Sequence, residues 1–381
     1  MSKIIIITND LELGGIQKSL IDFLKYLTGS DQYEIDLVLW QKDGDLKEQL
    51  PLAVNVIQNE YIATWKKIAE ANSSAAKLKL FGAYLKFSLY AKIVKKPWLY
   101  YPKVKKQYDI AIAYSQNGYP RFYTVDNVSA TKKFLWYHHG SYDSTKREFE
   151  LDQKYFEKYD KIITVSESNK KMLTEHFPQF ENHFFVVPNL IASPEILLNS
   201  GQKVMDFKIE DGIFNFVTVS RFSKEKGIDL AIAVAKKLKK YGLKFRWYFI
   251  GQGETFDEIT SEILKNQLEN NCILLGSKKN PYPYMKGANL YIQTSYIESQ
   301  SLTVYEALVL KKMIVATNLP ALREALQDGE LGILCEPNAD DFVEKIIRIL
   351  SDKNAQHLLE KAIEDHTVSN EKGYEAINEL L

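Results

Sequence analysis

Apolar residues along this chain fall in short runs, separated by longer stretches where they recur every three or four positions. The runs in the first half are Ile4–Thr8, Ile35–Trp40, Ile110–Ala113, Phe134–His138, Ile162–Val165 and Phe184–Val187. Each is rich in Ile, Val, Leu or Phe and bounded by turn residues. That pattern predicts strands buried on both faces of a parallel sheet. A helix is expected from about Gln17 to Leu27, where the apolar period changes from strand-like to helical.

The same pattern then restarts. Phe214–Ser220, Phe245–Gly251, Cys272–Leu275, Leu290–Gln293, Met313–Ala316 and Gly332–Leu334 read as strands, with a helix from Gly227 to about Lys240. Residues 193–211 are polar and weakly patterned and read as a linker. The expected organisation is a domain over 1–192, a linker over 193–212, a second domain over 213–355, and a helical tail over 356–381 that crosses back to the first domain. Two βα-alternating halves imply an α/β fold with two doubly wound, Rossmann-like domains facing across a cleft. Ligands are expected at the carboxyl ends of the strands, in that cleft.

Composition changes little. Lys plus Arg and Asp plus Glu both number 49, so a whole-chain polyanion binder is not indicated and no nucleic-acid partner is expected. The two cysteines, Cys272 and Cys335, sit in apolar stretches and read as reduced core thiols. No apolar run reaches the roughly 18 residues of a membrane span. The N-terminal run is too short for a signal-peptide core. A cytoplasmic protein is expected.

Candidate chemistry gathers in the second half. The strand Phe214–Ser220 leads into Arg221-Phe222-Ser223-Lys224-Glu225-Lys226-Gly227. Arg221 and Lys226 thus stand in a loop just before a helix N-terminus, where two cations and free N–H groups can hold a diphosphate. Taken alone, the same pair reads equally as solvated surface charge. The next strand ends at Gly251-Gln252-Gly253-Glu254; glycines there permit close backbone approach to a ligand or simply make the turn. After the strand Leu290–Gln293 comes Glu298-Ser299-Gln300-Ser301-Leu302-Thr303, leading into the helical pattern Leu302, Tyr305, Leu308, Val309. Ser299–Thr303 is then a helix start with donors suited to phosphate. Glu298 lies just before it, placed to select sugar hydroxyls. Glu306 lies inside it, placed to accept both hydroxyls of a ribose. By itself the segment is also a capped helix with two glutamates.

Together these motifs resemble the family-4 retaining glycosyltransferases, which have the GT-B fold. Glu298 and Glu306 fit the family's pair of glutamates with seven residues between them, Arg221 and Lys226 its upstream cation pair, and Gly251, Gly253 and Glu254 its Gly-x-Gly-Glu turn. Asn280 to Ile292 resembles the stretch before that signature in bacterial polysaccharide members. Leu13-Gly14-Gly15-Ile16-Gln17 is similar to the family's first glycine loop, where acceptor and donor phosphate meet. Trp136-Tyr137-His138-His139-Gly140 is similar to its strand-end histidine, whose ring contacts the donor sugar; the resemblance puts that role on His139, with His138 second. Ser166 and Asn189 match two further landmarks near the cleft. The chain departs from the family at Ser299-Gln300-Ser301, where Gly-Phe-Gly or Gly-Phe-Pro is frequent, and at Leu190, where Gly is common.

The expected activity is transfer of a hexose or N-acetylhexosamine from a nucleotide sugar to a glycan or lipid-diphosphate-linked acceptor in bacterial cell-surface polysaccharide synthesis. The resemblance implies retention of configuration, and UDP follows from the family's bacterial polysaccharide members alone. The catalytic set is His139, Arg221, Lys226 and Glu298. Gly15, Gly251, Gly253, Ser299, Gln300, Ser301, Leu302, Thr303 and Glu306 form the donor set. Gly14, His138, Ser166 and Asn189 complete the cleft. No cofactor and no metal are expected: Arg221, Lys226 and the helix N–H groups can neutralise the leaving diphosphate, and Asp43-Gly44-Asp45, the one Asp-x-Asp triplet, reads as a loop. A GT-B sugar-nucleotide epimerase and a catalytically silent, glycosyltransferase-like subunit are the alternatives.

One region stands outside this scheme. From 65 to 107 there are eleven lysines and a single acid, Glu70, with Trp65, Phe81, Tyr84, Phe87, Tyr90, Trp98, Tyr100 and Tyr101 interleaved. Leu78, Phe81, Leu85 and Leu89 have near-helical spacing. A cationic amphipathic helix with aromatic anchors is the composition of an interfacial membrane segment, so peripheral contact with an anionic inner membrane face, or with an anionic acceptor, is expected.

Overall fold

The computed structural model describes residues 1–41, 44–58, 68–145 and 148–381. Asp43 and Trp65, named above, and two of the eleven lysines, Lys66 and Lys67, lie outside the described residues. Two parallel sheets organise the chain. The first is built from β1 (Ser2–Thr8), β2 (Tyr33–Leu39), β3 (Val54–Gln58), β4 (Gln107–Ala113), β5 (Ser129–Tyr137), β6 (Lys161–Thr164) and β7 (Phe184–Val186), in the order β3-β2-β1-β4-β5-β6-β7. The second comprises β8 (Phe214–Val219), β9 (Phe245–Ile250), β10 (Cys272–Leu274), β11 (Leu290–Gln293), β12 (Ile314–Thr317) and β13 (Ile333–Cys335), in the order β10-β9-β8-β11-β12-β13. Every pairing is parallel. The fold is α/β with two Rossmann-like domains.

The continuous apolar runs have a direct cause. In β1, Ile4 and Ile6 enter one core and Ile5 and Ile7 the core on the opposite face, and all four are fully buried. Helices cover both faces, so neither side of the strand can be polar.

Two elements differ from the sequence-based expectation. β3 was not among the expected strands. It carries only Val54, Val56 and Ile57 among polar residues, and it is legible only as the edge partner of β2, where Asn55 Nδ2 donates to Asp36 Oδ1 at 2.7 Å. The expected linker contains a helix, Ser193–Asn199, started by Pro194 and Glu195. Its Ile196 is buried with Tyr282, Met285 and Leu308 of the second domain. Near the C-terminus, the Glu371–Leu380 helix returns to the first domain. There Ile377 and Leu380 enter the β1 core, and Tyr374 stacks on Tyr26 with centroids 4.6 Å apart.

Candidate active site

Loops following β1, β5, β6 and β7 meet loops following β8 and β11. Glu298 stands at the centre, its side chain only 6% exposed. Its Oε1 accepts hydrogen bonds from Lys226 Nζ at 2.9 Å, Gln293 Nε2 at 2.8 Å and Ser295 Oγ at 2.7 Å. Gln293 closes β11, and the Tyr291 hydroxyl donates to its Oε1 at 2.7 Å, which fixes the amide. Lys226 reaches over from the loop that follows the neighbouring strand β8. A carboxylate and a cation that were separate readings in the sequence are one ion pair here.

Arg221 is paired with Glu225 Oε1, and His139 Nε2 approaches Glu225 Oε2 at 3.6 Å. Burial raises the Glu225 carboxyl, but Lys226, Arg221 and His139 outweigh it and hold the group below its ordinary range. Arg221 and Glu225 line a cavity of 590 Å³ together with Ser223, Glu254 and Tyr296.

Ser299 and Gln300 also make contacts across to the first domain. Ser299 Oγ donates to the His138 carbonyl, and the Ser299 carbonyl accepts from Ser166 Oγ at 2.6 Å. Gln300 Oε1 accepts the Asn189 N–H at 2.8 Å. Both side chains therefore fasten the loop to the first domain. Ser301 is the N-cap of the Leu302–Val309 helix, and its hydroxyl, 3.2 Å from Thr303 Oγ1, makes no capping bond. Gly15, at the start of the Gly15–Thr28 helix with Gly14 as its N-cap, packs near the Leu302 side chain.

Gly251 and Gly253 have an internal reason to be glycine. A Cβ on either would strike the backbone of Ser220 or Phe222, and Gly251 has φ +149°. Their close approach is to their own domain's neighbouring loop, as the turn requires. His138 is buried against the Tyr114 ring, its centroid 5.0 Å away, and its Nε2 has no partner. Burial pushes that imidazole down to about 3. Glu306 is 3% exposed and meets Lys18, from the opposite domain.

Lys18, Glu225, Gln293 and Ser295 were not singled out in the sequence. Gln293 left a trace, as a polar residue ending an otherwise apolar strand. Ser295 left the short spacing to Glu298. Lys18 left none: it is one of 49 cationic residues, and only packing brings it to Glu306. In the basic region, the Ser74–Leu89 helix buries no residue; Leu78, Leu85, Leu89 and Ile93 are all exposed. Trp98 and Tyr101 are core residues, not surface anchors, with Trp98 stacked on Phe122 at 4.4 Å. Among the described residues, no helix is long and apolar enough to cross a membrane.

Residues 205–366, which span the second sheet and the loops after β8 and β11, match the family model described as "Glycosyl transferases group 1". That part of the chain is similar to the group 1 glycosyltransferases. The chain is 30% identical over 223 residues to an uncharacterised glycosyltransferase of Methanocaldococcus jannaschii, covering 56% of this chain and 53% of that protein. It is 26% identical over 250 residues to the poly(ribitol-phosphate) alpha-N-acetylglucosaminyltransferase of Staphylococcus aureus, covering 64% of this chain and 48% of that one. The chain thus spans about half the length of these curated relatives. The crystal structure of S. aureus TarM with fondaparinux, alpha-GlcNAc-glycerol and UDP superposes with a TM-score of 0.69 at 16% identity, covering 100% of this chain and 99% of that one. The fold is GT-B, and the cleft described above is its interdomain cleft.

Proposed function

We propose that this chain is a group 1 glycosyltransferase that moves a hexose or N-acetylhexosamine from a nucleotide sugar, UDP-linked, to a glycan or lipid-diphosphate-linked acceptor in bacterial cell-surface polysaccharide synthesis. The observation that carries this reading is the convergence of Arg221, Lys226, Glu298, His139 and the start of the Leu302–Val309 helix on one interdomain cleft.

As the sugar C1–O bond breaks, negative charge builds on the leaving diphosphate. Arg221, Lys226 and the helix N–H groups are the donors for it, fixed in place and needing no metal. Glu298, held from three sides, reads sugar hydroxyls; Glu306 reads the ribose. The acceptor attacks from the face the diphosphate leaves, the departing phosphate takes its proton, and configuration is retained. His139 faces this space beside Glu225; the partnerless Nε2 of His138 makes it the second candidate for the sugar contact.

The poly(ribitol-phosphate) transferase among the relatives acts on an anionic polymer. The exposed helix Ser74–Leu89 and the residues after it, with Lys77, Lys79, Lys86, Lys92, Lys95 and Lys96 and no acid between 74 and 96, suit an anionic acceptor or membrane face. We place the enzyme on the cytoplasmic side of that membrane.

The test is release of nucleoside diphosphate from labelled UDP-, GDP- and ADP-sugars, with and without a lipid-diphosphate glycan. Acceptor-dependent release with an α-configured product from an α-donor supports the reading. Donor isomerisation without acceptor identifies an epimerase. No release with any donor identifies a silent subunit.

A further inference from the structure

Lys18 lies in the first turn of the Gly15–Thr28 helix, in the first domain. Its ammonium crosses the cleft to two groups of the second domain, Glu306 Oε1 and the Tyr282 hydroxyl. It also stands 4.9 Å from the centroid of the Tyr282 ring. The Glu306 side chain is 4% exposed and that of Lys18 29%. One turn further along the helix, Asp22 is also buried. Burial lowers the Lys18 ammonium, but Glu306 and Tyr282 together outweigh it and hold the charge above its ordinary range.

A carboxylate this buried needs a counter-charge. An unpaired charge so far from water is costly. Here the cation comes from the opposite domain, on the helix that follows the first glycine loop. With Oε1 held by Lys18, Oε2 is the oxygen offered to a ribose.

We propose that Lys18 is a positioning residue that makes nucleoside recognition by Glu306 conditional on the two domains being together. The inference rests on the reading of Glu306 as the ribose acceptor. When the domains part, Lys18 leaves with its helix, and Glu306 loses both its counter-charge and the bond that fixes its side chain. Ribose binding and closure then favour each other by the same free energy, because the coupling is reciprocal.

The experiment measures hydroxyl discrimination by calorimetry. It compares Kd for whichever of UDP, GDP and ADP binds most tightly with Kd for its 2′,3′-dideoxy counterpart. Wild-type protein should prefer the ribose form by about tenfold to hundredfold, the range for hydrogen bonds to a charged group. Glu306→Gln should reduce that preference to within about threefold, and Lys18→Met should do the same. Lys18→Gln, which leaves little empty volume, is read in parallel so that a folding defect in the methionine variant does not decide the matter. A merely structural role for Lys18 weakens both nucleotides equally and keeps their ratio. Lost discrimination in Glu306→Gln with intact discrimination in both Lys18 variants overturns this inference alone. Intact discrimination in Glu306→Gln, or none in the wild type, overturns the reading of Glu306 and this inference with it.

Discussion

The Cα of Gly140 packs directly against the backbone of Glu298. A Cβ at 140 would lie 2.9 Å from Ser299 N and closer still to the Glu298 carbonyl. The contact joins the end of β5 in the first domain to the central carboxylate of the second, with no side chain between. Gly140→Ala must push the two loops apart, and a displacement of about 1 Å at such a site costs on the order of a hundredfold in rate. The expected result is a loss of about tenfold to hundredfold in kcat/KM, with each domain still folded by circular dichroism. Wild-type kcat/KM would show that this contact does not set the reacting geometry.

Arg221 and Lys226 should matter in different ways. Arg221 is bound to Glu225 and free of Glu298, whereas Lys226 holds Glu298 as well as facing the diphosphate site. Either alanine variant should cost at least ~2–3 kcal/mol of transition-state stabilisation, read as kcat/KM. Lys226→Ala should in addition blur discrimination between donor sugars, because Glu298 keeps only Gln293 and Ser295. Unchanged kcat/KM in both variants sinks the assignment. Activity should also persist in EDTA; activity abolished by EDTA and restored by Mn²⁺ would end the claim of metal independence.

Asp22 gives a pH signature. Burial pushes its carboxyl up to about 6, against the pull of Lys18 and Lys25 and with help from Glu195 and Glu306. The folded state therefore prefers the protonated acid. Its contribution to stability is fully present below the ordinary carboxylate range, near pH 4, and is lost as pH rises through about 6. Asp22→Asn removes the penalty of the buried charge. The variant should gain thermal stability over the wild type at pH 8, by about 1–3 kcal/mol, and gain little at pH 4. Equal shifts at both pH values would mean that Asp22 does not titrate in this window.

The helix Ser74–Leu89 makes a prediction about location. Wild-type protein should sediment with anionic liposomes at low salt and release them at high salt, since each lysine near such a surface is worth about 1 kcal/mol and is screened by ions. Lys77, Lys79 and Lys86 changed together to Glu should abolish sedimentation while leaving transfer to a soluble acceptor intact. No sedimentation of the wild type at low salt removes the membrane from this account.

Much of the fold was legible because its cause is local. A strand buried on both faces must be apolar at every position, so β1, β4, β8 and β11 announce themselves as runs. β3, at an edge, needs only Val54, Val56 and Ile57 to face inward, and that is too little to separate it from a loop. The Ser193–Asn199 helix was hidden for a related reason: one buried residue, Ile196, is enough to dock it, and one residue makes no period. The site divides in the same way. Glu298, Glu306, Arg221 and Lys226 stand at strand ends, which the alternation of strands and helices places.

The sequence by itself determined two parallel-sheet domains and the identity of the strand-end residues, because burial imposes its pattern on neighbours in the chain. Only the tertiary structure decided who pairs with whom. Lys226 with Glu298 is 72 residues apart in sequence, and Lys18 with Glu306 is 288. Such pairs leave no periodicity; desolvation of each carboxylate demands a cation, and packing alone selects which of many cations answers. Ser299 and Gln300, which lead into the Leu302–Val309 helix, are domain clamps as well because the loops of the opposite domain offer them His138, Ser166 and Asn189.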